Sequence, residues 1–328
     1  MKKFFMWAGM GVGVLVGLMI IGSVAIYFKS QARLTRTYDL PEEVVSIPAD
    51  AESIQHGRHI FQFRGCEACH SGRGYLDVSD AESSVDSHLS LPSQDIPHME
   101  GHIYLDDPAI GKVVASNLTS GEGGVGSEYK DQDWVRAIRH GIRPNKTPLL
   151  FMPSTEFYFL SDEDLGSVIA YIRSAPPVDN ELPSSTLSWT GRVAMTLVPA
   201  ITFIPAELIP RAGPRPAVPE VGITPEYGEY LTHSCKVCHG LRMSGGLIPG
   251  FPSGWPPAPN LTFGDGSALP AWTEAGFRNT IRSGVTPEGI KLRPEYMPWG
   301  SYKFMSDEEL QAVWVYLQSL PKLEYGNR

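Results

Sequence analysis

Cys66, Cys69 and His70 stand together as Cys-Glu-Ala-Cys-His, and Cys235, Cys238 and His239 as Cys-Lys-Val-Cys-His. These four are the only cysteines in a chain of 328 residues. A Cys-x-x-Cys pair by itself admits a disulfide, a thioredoxin-like redox pair or half of a zinc ribbon. A histidine directly after both pairs narrows that choice. Two thiols at this spacing reach the two vinyl groups on one edge of a porphyrin, and the adjacent imidazole is then placed to ligate the iron. The pattern predicts two covalently attached haems c, with His70 and His239 as proximal ligands. Each iron then needs a sixth ligand or an open position. Met152 and Met297 are the candidates, each followed by proline and each just ahead of a helical segment. A thioether ligand favours Fe(II), raises the potential and closes the face a substrate would need, which suits electron transfer.

The segments that must hold these residues repeat. Gly57-Arg58-His59-Ile60-Phe61 precedes the first motif and Gly228-Glu229-Tyr230-Leu231 the second. Ala115 to Thr119 (ASNLT) matches Ala258 to Thr262 (APNLT), and Trp134 to Pro144 matches Phe277 to Pro287. Met152-Pro153 followed by Ser161 to Leu165 matches Met297-Pro298 followed by Ser306 to Leu310. The shared order is helix, Cys-x-x-Cys-His, Asn-Leu-Thr, helix, Met-Pro, helix, so two tandem domains of one fold are expected. Asp50 can cap a helix running to Arg64. Ser161 with Asp164, and Ser306 with Glu309, have the form of a capping box. Apolar residues then recur at helical spacing (Leu165, Val168, Ile169, Ile172; Leu310, Val313, Trp314, Leu317), while no long alternating strand pattern appears. The fold is expected to be all-α.

Domain one is placed at 45–176 and domain two at 226–328. His70 lies 47 positions before Asn117, but His239 only 21 before Asn260. The first domain therefore holds an insert of about 26 residues near 74–108, read as a polar surface loop. Met99 lies in it, without a counterpart in the second copy. The proline-rich stretch 177–225 reads as a linker. Within it Val193 to Ala206 is an uncharged run, too short and too interrupted by Pro199 and Pro205 to span a bilayer. It is expected to pack between the domains, with the membrane surface as the alternative.

Residues 1–30 are expected to form a membrane anchor. Lys2 and Lys3 precede an uncharged stretch from Phe4 to Phe28, about 25 residues, longer than the apolar region of a cleaved signal, although Ser23-Val24-Ala25 resembles a cleavage site. Gly9, Gly13 and Gly17 share one face, which would admit a partner helix. Thioether attachment of haem takes place outside the cytoplasm, which puts the bulk of the chain there. With a formal net charge of −9 the chain has no footprint for nucleic acid. Trp134, Asn117, Asn260, Arg139 and Arg282 recur near the motifs as candidate partners for buried haem propionates.

Taken together, Cys-x-x-Cys-His early, Met-Pro late and a terminal helix set against the first resemble class I c-type cytochromes. The paired arrangement, with Ala-[Ser/Pro]-Asn-Leu-Thr and Ser-Asp-Glu-[Asp/Glu]-Leu, is similar to membrane-anchored cytochrome subunits of periplasmic dehydrogenases that oxidise alcohols, aldehydes or sugar acids. The resemblance covers about residues 50 to 328 outside the insert. It implies the axial pairs His70/Met152 and His239/Met297, and attachment through Cys66, Cys69, Cys235 and Cys238. It also implies a single-pass protein of a bacterial inner membrane that passes electrons from a dehydrogenase or quinol-oxidising partner to a terminal oxidase or a soluble cytochrome. Many such subunits resemble three domains in a row, whereas this chain has two. A haem enzyme, such as a diheme peroxidase or a thiosulfate-oxidising cytochrome, is the alternative, although a cysteine-ligated thiosulfate site would need a fifth cysteine.

Overall fold

A computed structural model describes residues 2–71, 99–210, 219–251 and 254–328. The apolar N-terminal stretch forms one continuous helix, α1 (Lys2–Leu34), without an acidic residue. It is long and apolar enough to cross a membrane, and its apolar side chains are exposed. Open space surrounds the Gly9, Gly13 and Gly17 positions.

The first half is built on α2 (Ala51–Phe63), the short α3 (Cys66–His70), α4 (Asp131–Val135) running into a π-helical turn over Arg136–His140, α5 (Ser154–Phe157) and α6 (Asp162–Ser174). Asp50 caps α2 as expected, its carboxylate accepting from the Ser53 amide at 2.8 Å. Strands β1 (His102–Asp107), β2 (Gly111–Ala115) and β3 (Thr186–Leu187) follow one another in a small antiparallel sheet, with α7 (Trp189–Leu197) after it. The second half repeats the helices as α8 (Pro225–Leu231), α9 (His233–His239), α10 (Glu274–Ser283), α11 (Trp299–Tyr302) and α12 (Asp307–Ser319).

The sheet departs from an all-α fold and occupies part of what reads as a loop in sequence. Its cause is local. Asp107 accepts from the amides of Ala109 (2.7 Å) and Ile110 (2.9 Å), and this Asx turn folds the chain back so that β1 pairs with β2. The pairing also shows where the two halves correspond. His102 faces Ala115 in the first half, as Gly246 faces Ala258 in the second. Leu118 N donates to Met99 O, and Leu261 N to Met243 O, both at 2.8 Å. Met99 therefore has a counterpart, Met243, and both are fully buried. Met243 stands only four positions after His239, which is too small a likeness to see in a sequence. Residues 72–98, with His88 and His98, lie outside the described residues.

In each half the first helix crosses the last at a glycine. A Cβ on Gly57 would lie 1.9 Å from the Ser167 carbonyl oxygen, and one on Gly228 would lie 2.1 Å from that of Ala312. Only a hydrogen in place of a side chain lets α2 lie against α6, and α8 against α12, this closely. Around the crossings sits one main core, including Phe61, Trp134, Leu165, Ile169, Tyr230, Met243, Leu310 and Leu317. A smaller core of Tyr38, Ile142, Leu187, Met195, Ile204 and Ala206 joins α7 and the run behind it to the first half. The uncharged 193–206 run thus packs, as expected, but beside the first half and the end of α1. Phe203 meets Phe151 at 5.1 Å between ring centroids.

The halves meet across α2 and α8. His59 Nε2 lies 2.9 Å from both carboxylate oxygens of Glu309. Tyr230 donates its hydroxyl to Asp164 and accepts from the Ser161 amide at 3.1 Å. His59 and Tyr230 each stand two residues after their crossing glycine, and Asp164 and Glu309 each hold the third position of their helix, so the contacts are related as a pair. Glu309 still closes its capping box, accepting from Ser306 N at 2.6 Å, whereas Asp164 is taken up by Tyr230 and by His56 at 2.7 Å. Burial would raise both carboxyls. The hydrogen bonds of His56 and Tyr230 to Asp164, and of His59 to Glu309, outweigh it and hold both below their ordinary values.

Candidate haem-attachment sites

The two Cys-x-x-Cys-His segments are short helices, and their histidines are buried. His70 Nδ1 is 2.9 Å from the Ser116 carbonyl, and His239 Nδ1 is 2.9 Å from that of Pro259. Both carbonyls belong to the residue just ahead of Asn-Leu-Thr. A backbone acceptor at Nδ1 fixes the proton there, aims the ring and leaves Nε2 as the metal-binding nitrogen. Burial lowers both imidazoles from their ordinary value, His239 to about 4, so each is a neutral ligand at physiological pH.

The acceptor carbonyls are held in turn by a loop geometry that both halves share. Asn117 Oδ1 accepts from the amide and hydroxyl of Thr119 at 2.9 and 2.8 Å, and its Nδ2 donates to Val178 O at 2.8 Å. Asn260 repeats this with Thr262 at 2.9 and 2.8 Å and with Leu323 O at 2.9 Å. These bonds tie the histidine-orienting loop to the chain that leaves the last helix. Arg139 binds Glu43 (3.0 Å), Leu160 O (2.8 Å) and Asp162 (2.6 Å), and Arg282 binds Asp307 (2.9 Å) and Lys303 O. Of the residues considered for propionates, both asparagines and both arginines thus fix loops and helix starts, although Arg139 keeps a buried Nε without a partner among the described residues.

Trp134 differs. It is buried, and its Nε1 has no partner among the described residues. Leaving a buried donor unmet is costly, so an acceptor from outside the chain, such as a carboxylate, fits here. The thiols fit the same group. All four cysteines are free, and burial pushes Cys66 and Cys235 up to about 12 and Cys69 up to about 11. No three His, Cys, Asp or Glu side chains gather as a metal cluster among the described residues. The residues suit haem c in both places.

Met152 and Met297 lie half-buried against the main core, each leading a tight turn of one kind. Pro153 has φ −77°, ψ 53° and Pro298 φ −76°, ψ 51°. Ser154 N donates to Met152 O, and Trp299 N to Met297 O, both at 2.7 Å. This is the inverse γ-turn that proline pre-sets. Sequence reasoning missed the ground between the two motifs. Arg64, buried at the end of α2, donates to Leu231 O at 3.1 Å and Tyr230 O at 3.2 Å, so it caps the last carbonyls of α8. A Cβ on Gly65, just ahead of the first motif, would lie 3.3 Å from Ser301 Oγ of the second half, and the thiols of both motifs feel the charges of Arg64 and Glu156. Burial there pushes Glu156 up to about 7, against the pull of Arg64. The signal for this meeting was the arginine just before Gly65-Cys66, a charge at the end of an otherwise amphipathic helix.

Residues 227–317 match the family model of the cbb3-type cytochrome c oxidase subunit III. The match places a c-type cytochrome domain in the second half, and the chain as a whole is similar to c-type cytochromes, a class that binds haem c covalently and transfers electrons. More particularly, it is similar to cytochrome subunits of dehydrogenases. It is 26% identical over 303 residues to the fructose dehydrogenase cytochrome subunit of Gluconobacter japonicus, covering 87% of this chain and 56% of that one. To the cytochrome c subunit of the quinone alcohol dehydrogenase of Gluconobacter oxydans it is 26% identical, covering 85% of this chain and 57% of the relative. To the gluconate 2-dehydrogenase cytochrome c subunit of Pantoea cypripedii it is 25% identical, covering 81% and 59%. The chain thus spans little more than half the length of these relatives.

Proposed function

We propose that the chain carries two haems c, one in each of two tandem cytochrome domains at about 45–176 and 226–328. We further propose that it relays electrons from a dehydrogenase or quinol-oxidising partner to an acceptor such as a terminal oxidase or a soluble cytochrome. In this reading α1 crosses the membrane once and the remainder lies on its outer, non-cytoplasmic face. The names of the relatives support a dehydrogenase as donor.

Haem c, when bound, supplies a one-electron Fe(III)/Fe(II) couple. The chain does the rest. Cys66 and Cys69, and Cys235 and Cys238, fix one porphyrin edge in each half. His70 and His239 ligate through Nε2, held by the Ser116 and Pro259 carbonyls. Met152 and Met297 would supply the second ligand to each iron, which would keep substrates out and favour the reduced iron. Arg64, two positions before Cys66, binds the carbonyls that end α8, just ahead of the second motif, and this contact offers the route for an electron between halves.

The observation that carries this reading is the matched pair of 2.9 Å contacts from His70 and His239 to backbone carbonyls. The test is the mass and spectrum of the chain matured with haem c. Two added haems, and a methionine-to-iron near-infrared band from each half, are expected. A single haem, or a half lacking that band, would overturn the assignment for that half. Fast peroxide turnover by the reduced protein would replace the carrier with an enzyme.

A further inference from the structure

We propose that α7 and the loop behind it form a foot that lies in the lipid headgroup layer beside α1 and sets the height of the electron-transfer domains above the bilayer. This rests on the reading of α1 as a membrane span.

Three observations lead there. The first is level. From Phe4 to Phe28, α1 offers roughly 37 Å of apolar helix at 1.5 Å per residue, against a hydrocarbon core of about 30 Å. One bilayer surface therefore falls near the aromatic pair Tyr27 and Phe28, where interfacial aromatics belong. α7 is fastened to α1 at that level. The Arg192 guanidinium lies 5.6 Å over the Tyr27 ring and donates to Ser30 Oγ at 3.0 Å and Gln31 Oε1 at 3.2 Å. One turn on, Arg33 binds Glu207 through two contacts, 2.9 and 2.5 Å, and donates to the Met195 carbonyl.

The second is surface. Met195 and Ile204 face inward, but Trp189, Leu197, Val198 and Leu208 are exposed. Leu197 to Ala200 are four consecutive exposed residues without a charge, at the tip of the loop. An apolar tip of this kind is costly in water, and it continues the apolar surface of α1 at the point where α1 leaves the membrane. Lys29, one residue after Phe28 on α1, is exposed and can snorkel to the headgroup level.

The third is reach into the second half. Gly250 lies against the tip, since a Cβ there would come within 2.5 Å of the Ala200 carbonyl oxygen. The neighbouring Leu247 and Phe251 are exposed as well. The foot therefore touches both halves, and a lipid surface is the occupant whose position is already fixed by α1.

The full chain in nanodiscs tests this. Leu197→Cys and Leu208→Cys, exposed and thus tolerant of change, carry a bimane probe. Ile20→Cys reports on the span, Lys322→Cys serves as the solvent control, and the chain without an added cysteine is the labelling blank. With lipids spin-labelled near the headgroup, probes at 197 and 208 should be quenched about twofold or more over 322, and the probe at 20 should respond to deep-labelled lipid. Quenching at 20 with none at 197 and 208 overturns the foot and leaves the membrane span standing. No quenching at 20 overturns both. Probes at 197 and 208 that ignore the lipid label, but are shielded when a dehydrogenase partner is added, make the patch a protein surface and overturn the proposal.

Discussion

Trp134 in the first half and Phe277 in the second occupy one place in the repeat. The first presents a buried indole N–H that finds no acceptor within the described residues, and the second a phenyl ring packed at 5.4 Å on Trp314. Around them almost everything that would hold a haem is the same in both halves: the glycine crossing, the carbonyl behind the histidine, the Asn–Thr clasp, and the turn after methionine. What differs is the polarity at this position and what covers each half. The first is fastened to α1 through Arg33, Tyr38 and Ile142. The second is closed by its own C-terminus, where Arg328 donates to Gly246 O at 3.2 Å. Attachment and ligation depend on a few fixed vectors and tolerate little variation. Potential and docking depend on the surrounding charge and surface, which can drift. The two haems of the proposal should therefore share a coordination spectrum and differ in potential.

The sharpest way to break this comparison is to remove one attachment motif. Replacing Cys66 and Cys69 together with alanine should take the haem count from two to one, read as pyridine haemochrome per chain, with the spectrum of the second half intact. The corresponding change at Cys235 and Cys238 should mirror it. Loss of both haems from either variant would mean that the halves fold as one unit.

Next in size is the helix crossing. Gly57→Ala and Gly228→Ala would each drive a methyl into a carbonyl and should cost about 1–3 kcal/mol or more, seen as a fall in Tm of several degrees. Similar losses at the two sites would mean that the crossings do the same job. A neutral result at either would show that α2 or α8 can shift.

The cross-interface acids come third. Asp164 and Glu309 lie below their ordinary carboxyl values, so the stability they lend is complete above about pH 4.5 and is lost as the pH falls through their folded values. His56 is raised, chiefly by its hydrogen bond to Asp164, so its share is complete below about pH 6.5 and fades as the pH climbs past its folded value. Asp164→Asn should remove its own share of the acid limb together with the His56 effect, and lower the plateau by about 1–2 kcal/mol. Glu309→Gln should remove only its own share of the acid limb and leave the His56 effect. Denaturant melts between pH 3 and pH 8 would separate them.

The smallest expected effect bears on the difference itself. Trp134→Phe makes the first half like the second. It should shift one potential by on the order of tens of millivolts and leave the other unchanged in a redox titration. Equal shifts in both would mean that the indole acts on the interface rather than on its own site.

The proposed attachment chemistry was legible from neighbours in sequence, because the thiols and the imidazole it would use stand within four positions of one another. Cys66, Cys69, His70 and their partners in the second motif could be read without coordinates. So could the Met-Pro turns, which proline pre-sets locally, and the capped helices beginning after Ser161 and Ser306. Tertiary structure decided whatever depends on residues far apart in the chain. Asn117 and Asn260 became clasps rather than propionate donors because Val178 and Leu323 return beside them. Met99 found its match in Met243 only through a shared backbone contact. The 193–206 run found its place beside α1 because Arg33 and Arg192 bind across some 160 residues of chain. No periodicity records such meetings, since each is selected by shape and charge after the elements have formed.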